Sequence, residues 1–162
     1  MNNSKTSLFL MELIIVILFF SVSAAVCVQL FFSAHKTDQE TNQSSHAITV
    51  IQNISECYYG LDADMQSILK IYDGSTEYTD GIYLTYDENW NITSIADEIR
   101  YVATLCPINK NENAMSGYLS EADINVYEFQ NSSEFNIDAI SESPLITTQH
   151  ISKYVQFRKG AY

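Results

Sequence analysis

The chain has 162 residues, enough for one modest domain in addition to a membrane anchor. Its 20 acidic and 8 basic side chains leave a net charge of −12, a field that repels nucleic acid and anionic lipid headgroups and argues against DNA binding through a phosphate-neutralising patch. The overall composition conceals two unlike segments: Leu8 to Ala34 is almost entirely apolar, and the seven basic and nineteen acidic side chains from Lys36 onward all belong to the polar remainder.

The first predicted element lies in the apolar segment. Leu13 to Phe32 is twenty residues long and is interrupted only by Ser21, Ser23 and Gln29. At about 1.5 Å per residue it matches a hydrocarbon core of about 30 Å. It is too long for the apolar region of a cleaved export signal, so it reads as a transmembrane helix. The basic residues on its two flanks nearly balance, Lys5 before it and Lys36 after it. Length decides the orientation: the short N-terminal tail stays inside, and the long acidic part is translocated across the cytoplasmic membrane.

Glu12 stands within the start of this apolar run. A carboxylate at the centre of a lipid-embedded helix costs about 2.5–3.5 kcal/mol, less near the interface, and such a group is generally paired or functional. The surrounding string, Ser7-Leu8-Phe9-Leu10-Met11-Glu12-Leu13-Ile14-Ile15-Val16-Ile17, resembles the N-terminal signal of type IV pilins and pseudopilins. In that family a short polar leader with a basic residue is removed by a membrane-bound prepilin peptidase. The new N-terminus is apolar and becomes methylated, and a glutamate follows at the fifth mature position. The resemblance implies a leader at residues 1–7, cleavage between Ser7 and Leu8, an N-methylated Leu8, and Glu12 as the assembly glutamate. Two substitutions depart from the commonest form of the signal: Ser7 replaces glycine before the cut, and Leu8 replaces phenylalanine after it.

The resemblance also implies the partners: other pilin-like subunits, a membrane assembly platform and the lipid bilayer. Cleavage leaves an ammonium at Leu8. In a parallel, staggered pair of helices that ammonium meets Glu12 of the neighbour, which fixes register more than it adds stability.

Residues 8–34 therefore form the membrane half of a long helix, and 35–162 the extracytoplasmic domain. Ser33 to Ser45 carries almost no apolar side chain. Beyond it Ala47, Ile48, Ile51, Ile54, Cys57 and Tyr58, flanked by Val50, recur at three- and four-residue spacing, which predicts a helix with one buried stripe ending at Gly60. A second helix is expected from Asp62 to Tyr72, with Leu61, Met65, Ile68, Leu69 and Tyr72 on one face and Asp62 or Asp64 at its start.

Strands are expected at Gly81–Tyr86, Arg100–Leu105 (ending before Pro107), Asp123–Phe129 and Ser152–Phe157. A turn is expected at Asp87-Glu88-Asn89 leading into Trp90-Asn91-Ile92, and loops at Asn109–Asn113 and Asn131–Ser133. The fold class is α+β: one antiparallel sheet packed on the outer half of the long helix. The Tyr83–Trp90 segment also resembles hairpins of pilin-like proteins from Gram-positive anaerobes.

Candidate chemistry is sparse. Cys27 falls in the membrane span and reads as a packing residue. Cys57 closes the long helix and Cys106 closes a strand, so they are the candidate disulfide of an exported domain. His35, His46 and His150 have no metal-ligand spacing, and no CxxC, nucleophile elbow, P-loop or dinucleotide fingerprint is present. The acidic pairs Asp62/Asp64, Asp87/Glu88 and Asp97/Glu98 lack the frame of a calcium loop and read as solvated surface. No cofactor, metal or enzymatic activity is expected. Four sequons in the exported part, at Asn42, Asn53, Asn91 and Asn131, fit a rival reading as a type II membrane glycoprotein. The alternative function is an unprocessed, membrane-tethered binding domain in which Glu12 has no partner.

Overall fold

The computed structural model describes residues 3–72, 75–78, 81–111, 117–129, 139–140 and 142–156. The chain is α+β, with helices α1 (Asn3–Gly60) and α2 (Met65–Ile71) followed by strands β1 (Thr76–Tyr78), β2 (Gly81–Tyr86), β3 (Tyr101–Asn111), β4 (Gly117–Glu128) and β5 (Leu145–Gln156). It divides into two compact units, Met1–Asn42 and Gln43–Tyr162. In the first unit every side chain from Ser7 to Asn42 is exposed. This unit contains the one candidate membrane span among the described residues, long and apolar enough to cross a bilayer.

The second unit holds the core. Its five strands form a simple meander, β1-β2-β3-β4-β5, with every neighbouring pair antiparallel. Strand alternation sends Ile82, Leu84, Tyr86, Ala103, Leu105, Ala122, Ile124, Val126 and Ile151 to one face. There they meet Ala47, Val50, Ile51, Ile54 and Tyr58 of α1 and Ile68 of α2. A smaller cluster of Tyr83, Val102, Phe129 and Ile140 fills part of the opposite face. Central β2 is therefore buried on both faces, which is why Ile82-Tyr83-Leu84-Thr85-Tyr86 reads as a continuous run of β-formers. Edge strand β5, by contrast, buries Ile151 and leaves most of its remaining side chains in solvent.

The buried stripe of α1 is rotated slightly from the expected one. Val50 is inside, while Ile48 is exposed at 48%. The end of the helix is also built differently. Gly60 belongs to the helix, and the left-handed turn falls on Asp62 (φ 53°) and Ala63 (φ 58°). The Leu61 amide donates to the Cys57 carbonyl and the Ala63 amide to the Tyr58 carbonyl, both at 2.9 Å, the second being the long-reach bond of a Schellman stop. Lys153 of β5 completes the cap. Its Nζ donates to the Tyr59 carbonyl and lies 2.8 Å from Asp62 Oδ1, placing a cation at the negative end of the helix.

Helix α2 is shorter than expected, but its predicted face is the packed one, with Ile68 buried and Leu61, Met65, Leu69 and Tyr72 against the core. Asp64 occupies its N-cap position and accepts a 2.5 Å hydrogen bond from the Ser67 hydroxyl. That bond holds the Asp64 carboxyl below its ordinary range.

Strand β2 falls on the predicted span. Strand β3 does not stop before Pro107 but runs on to Asn111, so the loop expected from Asn109 begins as strand. Proline lacks the amide a regular ladder requires, and the β3–β4 register shifts between Pro107 and Asn109, where that lack is tolerated. Strands β4 and β5 begin earlier than expected, at Gly117 and Leu145, and β1 was not anticipated. The loop expected at Asn131–Ser133 lies outside the described residues.

Candidate functional site: the N-terminal half of α1 and the domain behind it

Ser7, Leu8 and Glu12 all lie on exposed helix, as does the whole apolar run after them; Leu8 is 68% and Phe31 79% accessible. Exposed apolar side chains over about seven helical turns suit a surround of lipid or other apolar helices, and the helix is long and apolar enough to cross a membrane. The Ser21 hydroxyl is already satisfied, donating to the Ile17 carbonyl at 2.8 Å, so it adds little to the cost of that environment. Glu12 is different. Among the described residues no cation lies within ion-pair distance of it, so an embedded Glu12 requires a counter-charge or a proton from elsewhere.

Two arrangements in the second unit were not anticipated. In the first, Trp90, the chain's single tryptophan, adopts φ 63° at the end of the turn after β2. Its indole stacks on Tyr101 (ring centroids 3.9 Å apart, 10° between planes) and on His46 of α1 (5.6 Å, 16°). Gln43 of α1 hydrogen-bonds Tyr101 as well. Asp87 builds the turn, its carboxylate accepting from the amides of Asn89 at 2.8 Å and Asn91 at 2.9 Å and from the Asn91 side chain at 3.1 Å. The bond from the Asn91 amide, followed by that from its side chain, pulls the Asp87 carboxyl below its ordinary range. Strand pairing resumes only as a single bridge, Tyr86 with Ile92. The outcome is an aromatic clamp that grips α1 at Gln43 and His46. An aspartate two residues before an asparagine signals the turn. Nothing local signals that His46 and Tyr101 would close on its tryptophan.

The second arrangement is an open groove of about 660 Å³ lined by Asn53, Glu56, Cys57, Gly60, Leu61, Ile71, Tyr72 and Ile92. Within it the Cys57 sulfur lies 3.6 Å from the Tyr72 hydroxyl. Burial, followed by the Cys57 contact, pushes the Tyr72 phenol well up, and burial pushes Tyr86 up to about 12. Such phenols donate hydrogen bonds and do not ionise at physiological pH.

The candidate bridge between Cys57 and Cys106 is not formed. Leu105 points to the face that α1 covers, so alternation sends Cys106 to the other face, beside the register pair Asp123. A disulfide needs its Cβ atoms about 3.5–4.5 Å apart, which a sheet lying between the two cysteines forbids.

The three histidines do not converge. His35 is on the exposed stretch of α1 and His46 is in the clamp. His150 sits on β5 with Nδ1 2.9 Å from Asp123 Oδ1 and Nε2 3.9 Å from Glu121 Oε1. Among the described residues no three His, Cys, Asp or Glu side chains are grouped as metal ligands. Asp62, Asp64 and Asp87 instead serve the helix cap, the α2 N-cap and the Trp90 turn.

Compared with known protein families, with curated proteins and with solved structures, the chain matches none.

Proposed function

We propose that the protein is a non-enzymatic, pilin-like structural subunit of a type IV filament or type II secretion-like machine. A prepilin peptidase removes residues 1–7, the new N-terminus at Leu8 is methylated, and the chain is inserted through a membrane platform among other pilin-like subunits. The tail before the span lies in the cytoplasm and the sheet domain outside. The observation that carries this reading is Glu12, the fifth residue of an apolar run that begins after the small residue Ser7. The layout supports it further: the same helix, beyond Gln43, packs its stripe on an antiparallel meander.

The mechanism follows from charge and solvent. Apolar helix surface drives lateral association, and the ammonium of one Leu8 neutralises Glu12 of the next subunit. A mismatched register strands both charges in lipid, so the pair selects one stagger.

Intact mass spectrometry of the protein taken from its native membrane tests processing. A chain beginning at Leu8 with one added methyl group is the expected result. A chain retaining Met1 through Ser7 removes the basis for filament insertion and leaves a tethered binding domain. Glu12→Ala then tests assembly: processing persists, and cross-linked ladders of subunits disappear. Unchanged ladders would remove the pairing role of Glu12.

A further inference from the structure

Ser33 to Asn42 of α1, SAHKTDQETN, is helical, yet none of its side chains is buried. Its neighbours on either side are supported. N-terminal to it, lipid would enforce helix, because no water is present there to bond an opened backbone. C-terminal to it, the clamp of Gln43 and His46 with Trp90 and Tyr101 begins, and Ala47 is the first fully buried residue. The division into two compact units falls at the same place, between Asn42 and Gln43.

Between those supports, helical stability has to come from the segment itself, and its residues are poorly suited to supply it. Thr37, Asp38, Thr41 and Asn42 each propagate a helix about threefold less well than alanine. The Thr37 hydroxyl donates to the Ser33 carbonyl at 3.0 Å and the Thr41 hydroxyl to the Thr37 carbonyl at 2.8 Å, bonds that bend a helix and do not reinforce it. Lys36 and Glu40 form an ion pair at 3.7 Å, but both are more than 60% exposed, and lysine preceding glutamate is the weaker order along a helix. Helix on both sides spares the segment a nucleation cost, so its weak propensity decides how often it opens.

We propose that Ser33–Asn42 is a joint that opens to coil while α1 stays helical on both sides of it. Opening lengthens the ten residues from about 15 Å to at most about 33–36 Å. The clamp limits the opening, since unwinding past Gln43 would unstack Trp90 and draw Ala47 out of the core. This joint serves a filament subunit and a tethered domain alike, so it does not depend on processing or on Glu12.

Hydrogen exchange of the full chain in phosphatidylcholine/phosphatidylglycerol nanodiscs tests the joint. Amides from Thr37 to Asn42 should exchange within about tenfold of an unstructured chain, while those from Val50 to Tyr58 exchange at least about a thousandfold more slowly. Protection of Thr37–Asn42 more than about tenfold above that of an unstructured chain overturns the proposal. A variant carrying Thr37→Ala, Asp38→Ala, Thr41→Ala and Asn42→Ala should gain about ten- to a hundredfold protection in the segment and none beyond His46. No gain would show that helix propensity does not govern the opening and would equally overturn it.

Discussion

Tyr58 joins the helix to the sheet across 62 residues of chain, and it offers the sharpest test of that packing. It is fully buried, and its hydroxyl donates to Ser120 Oγ on β4 at 2.7 Å. Burial raises the phenol above its ordinary pKa, with the Ser120 bond opposing in part, so it remains a neutral donor. Tyr58→Phe keeps the ring and leaves Ser120, itself only 3% exposed, without its donor. An orphaned buried hydroxyl costs about 1–3 kcal/mol. Ser120→Ala strands the phenol at similar cost. The double variant removes both ends of the bond, so it should be about 1 kcal/mol more stable than the sum of the single losses implies. Tyr58→Ala also opens a cavity and should cost about 3–5 kcal/mol. Urea titration of the full chain in detergent micelles measures all four, read by the fluorescence of Trp90 in its stack on Tyr101. Additivity of the two single changes within about 0.3 kcal/mol would mean that the hydroxyls do not meet, and the assigned register of α1 on the sheet would fail.

Three further outcomes follow from the same coordinates. Gly81 has φ 153°, and a Cβ there would lie on the Leu105 carbonyl oxygen, so Gly81→Ala should destabilise by about 1–3 kcal/mol in the same titration. Ser55 Oγ is buried on α1 with no hydrogen-bond partner among the described residues, so Ser55→Ala should be neutral or stabilise by up to about 1 kcal/mol, through both desolvation and helix propensity. Asp87 has a depressed pKa in the folded state. Its stabilisation is complete above the unfolded carboxylate value of about 3.9 and fades as pH falls through the lower folded one, so acid below about pH 4 should loosen the Trp90 stack. Asp87→Ala should show a weakened stack already at neutral pH and lose that acid-dependent fluorescence change.

What the sequence revealed depended on how local the cause was. Gly81–Tyr86 could be read to the residue because both its faces are buried and its β-formers run unbroken. The α2 face was legible because a single helical turn relates its members. Pro107 misled because a proline normally ends a ladder; the compensating register shift is a property of β3 and β4 together. Gly60 does end α1 as expected, but the left-handed residues of the stop are Asp62 and Ala63, and Lys153, about ninety residues on, stabilises them through Asp62. The alternation that carries Cys106 away from Cys57 was countable in advance. Which face of β3 the helix would cover was not. Ser7, Leu8 and Glu12, which carry the resemblance to a processing signal, lie within six residues and could be read together. The clamp of His46, Trp90 and Tyr101 was not, because each of its members comes from a different part of the chain.

The two ends of α1 make opposite demands, and this constrains any function assigned to the protein. Beyond Gln43 the helix has one apolar stripe, covered by the protein's own sheet, and its remaining faces are at home in water. Before Ser33 it is apolar all round, and its side chains from Ser7 onward are exposed among the described residues. Lipid alone covers the apolar surface equally well at every residue except Glu12, where it leaves a carboxylate without a counter-charge. A helix of another subunit covers the same surface and, if it brings a freed N-terminal amine, relieves that carboxylate as well. The acidic second unit works against close approach of like copies, since each repeats the same negative field. In the proposed filament, cohesion between subunits would therefore fall to the apolar half, where Glu12 is the one charged side chain between Leu8 and Ala34 and would be the charge that sets one register over another.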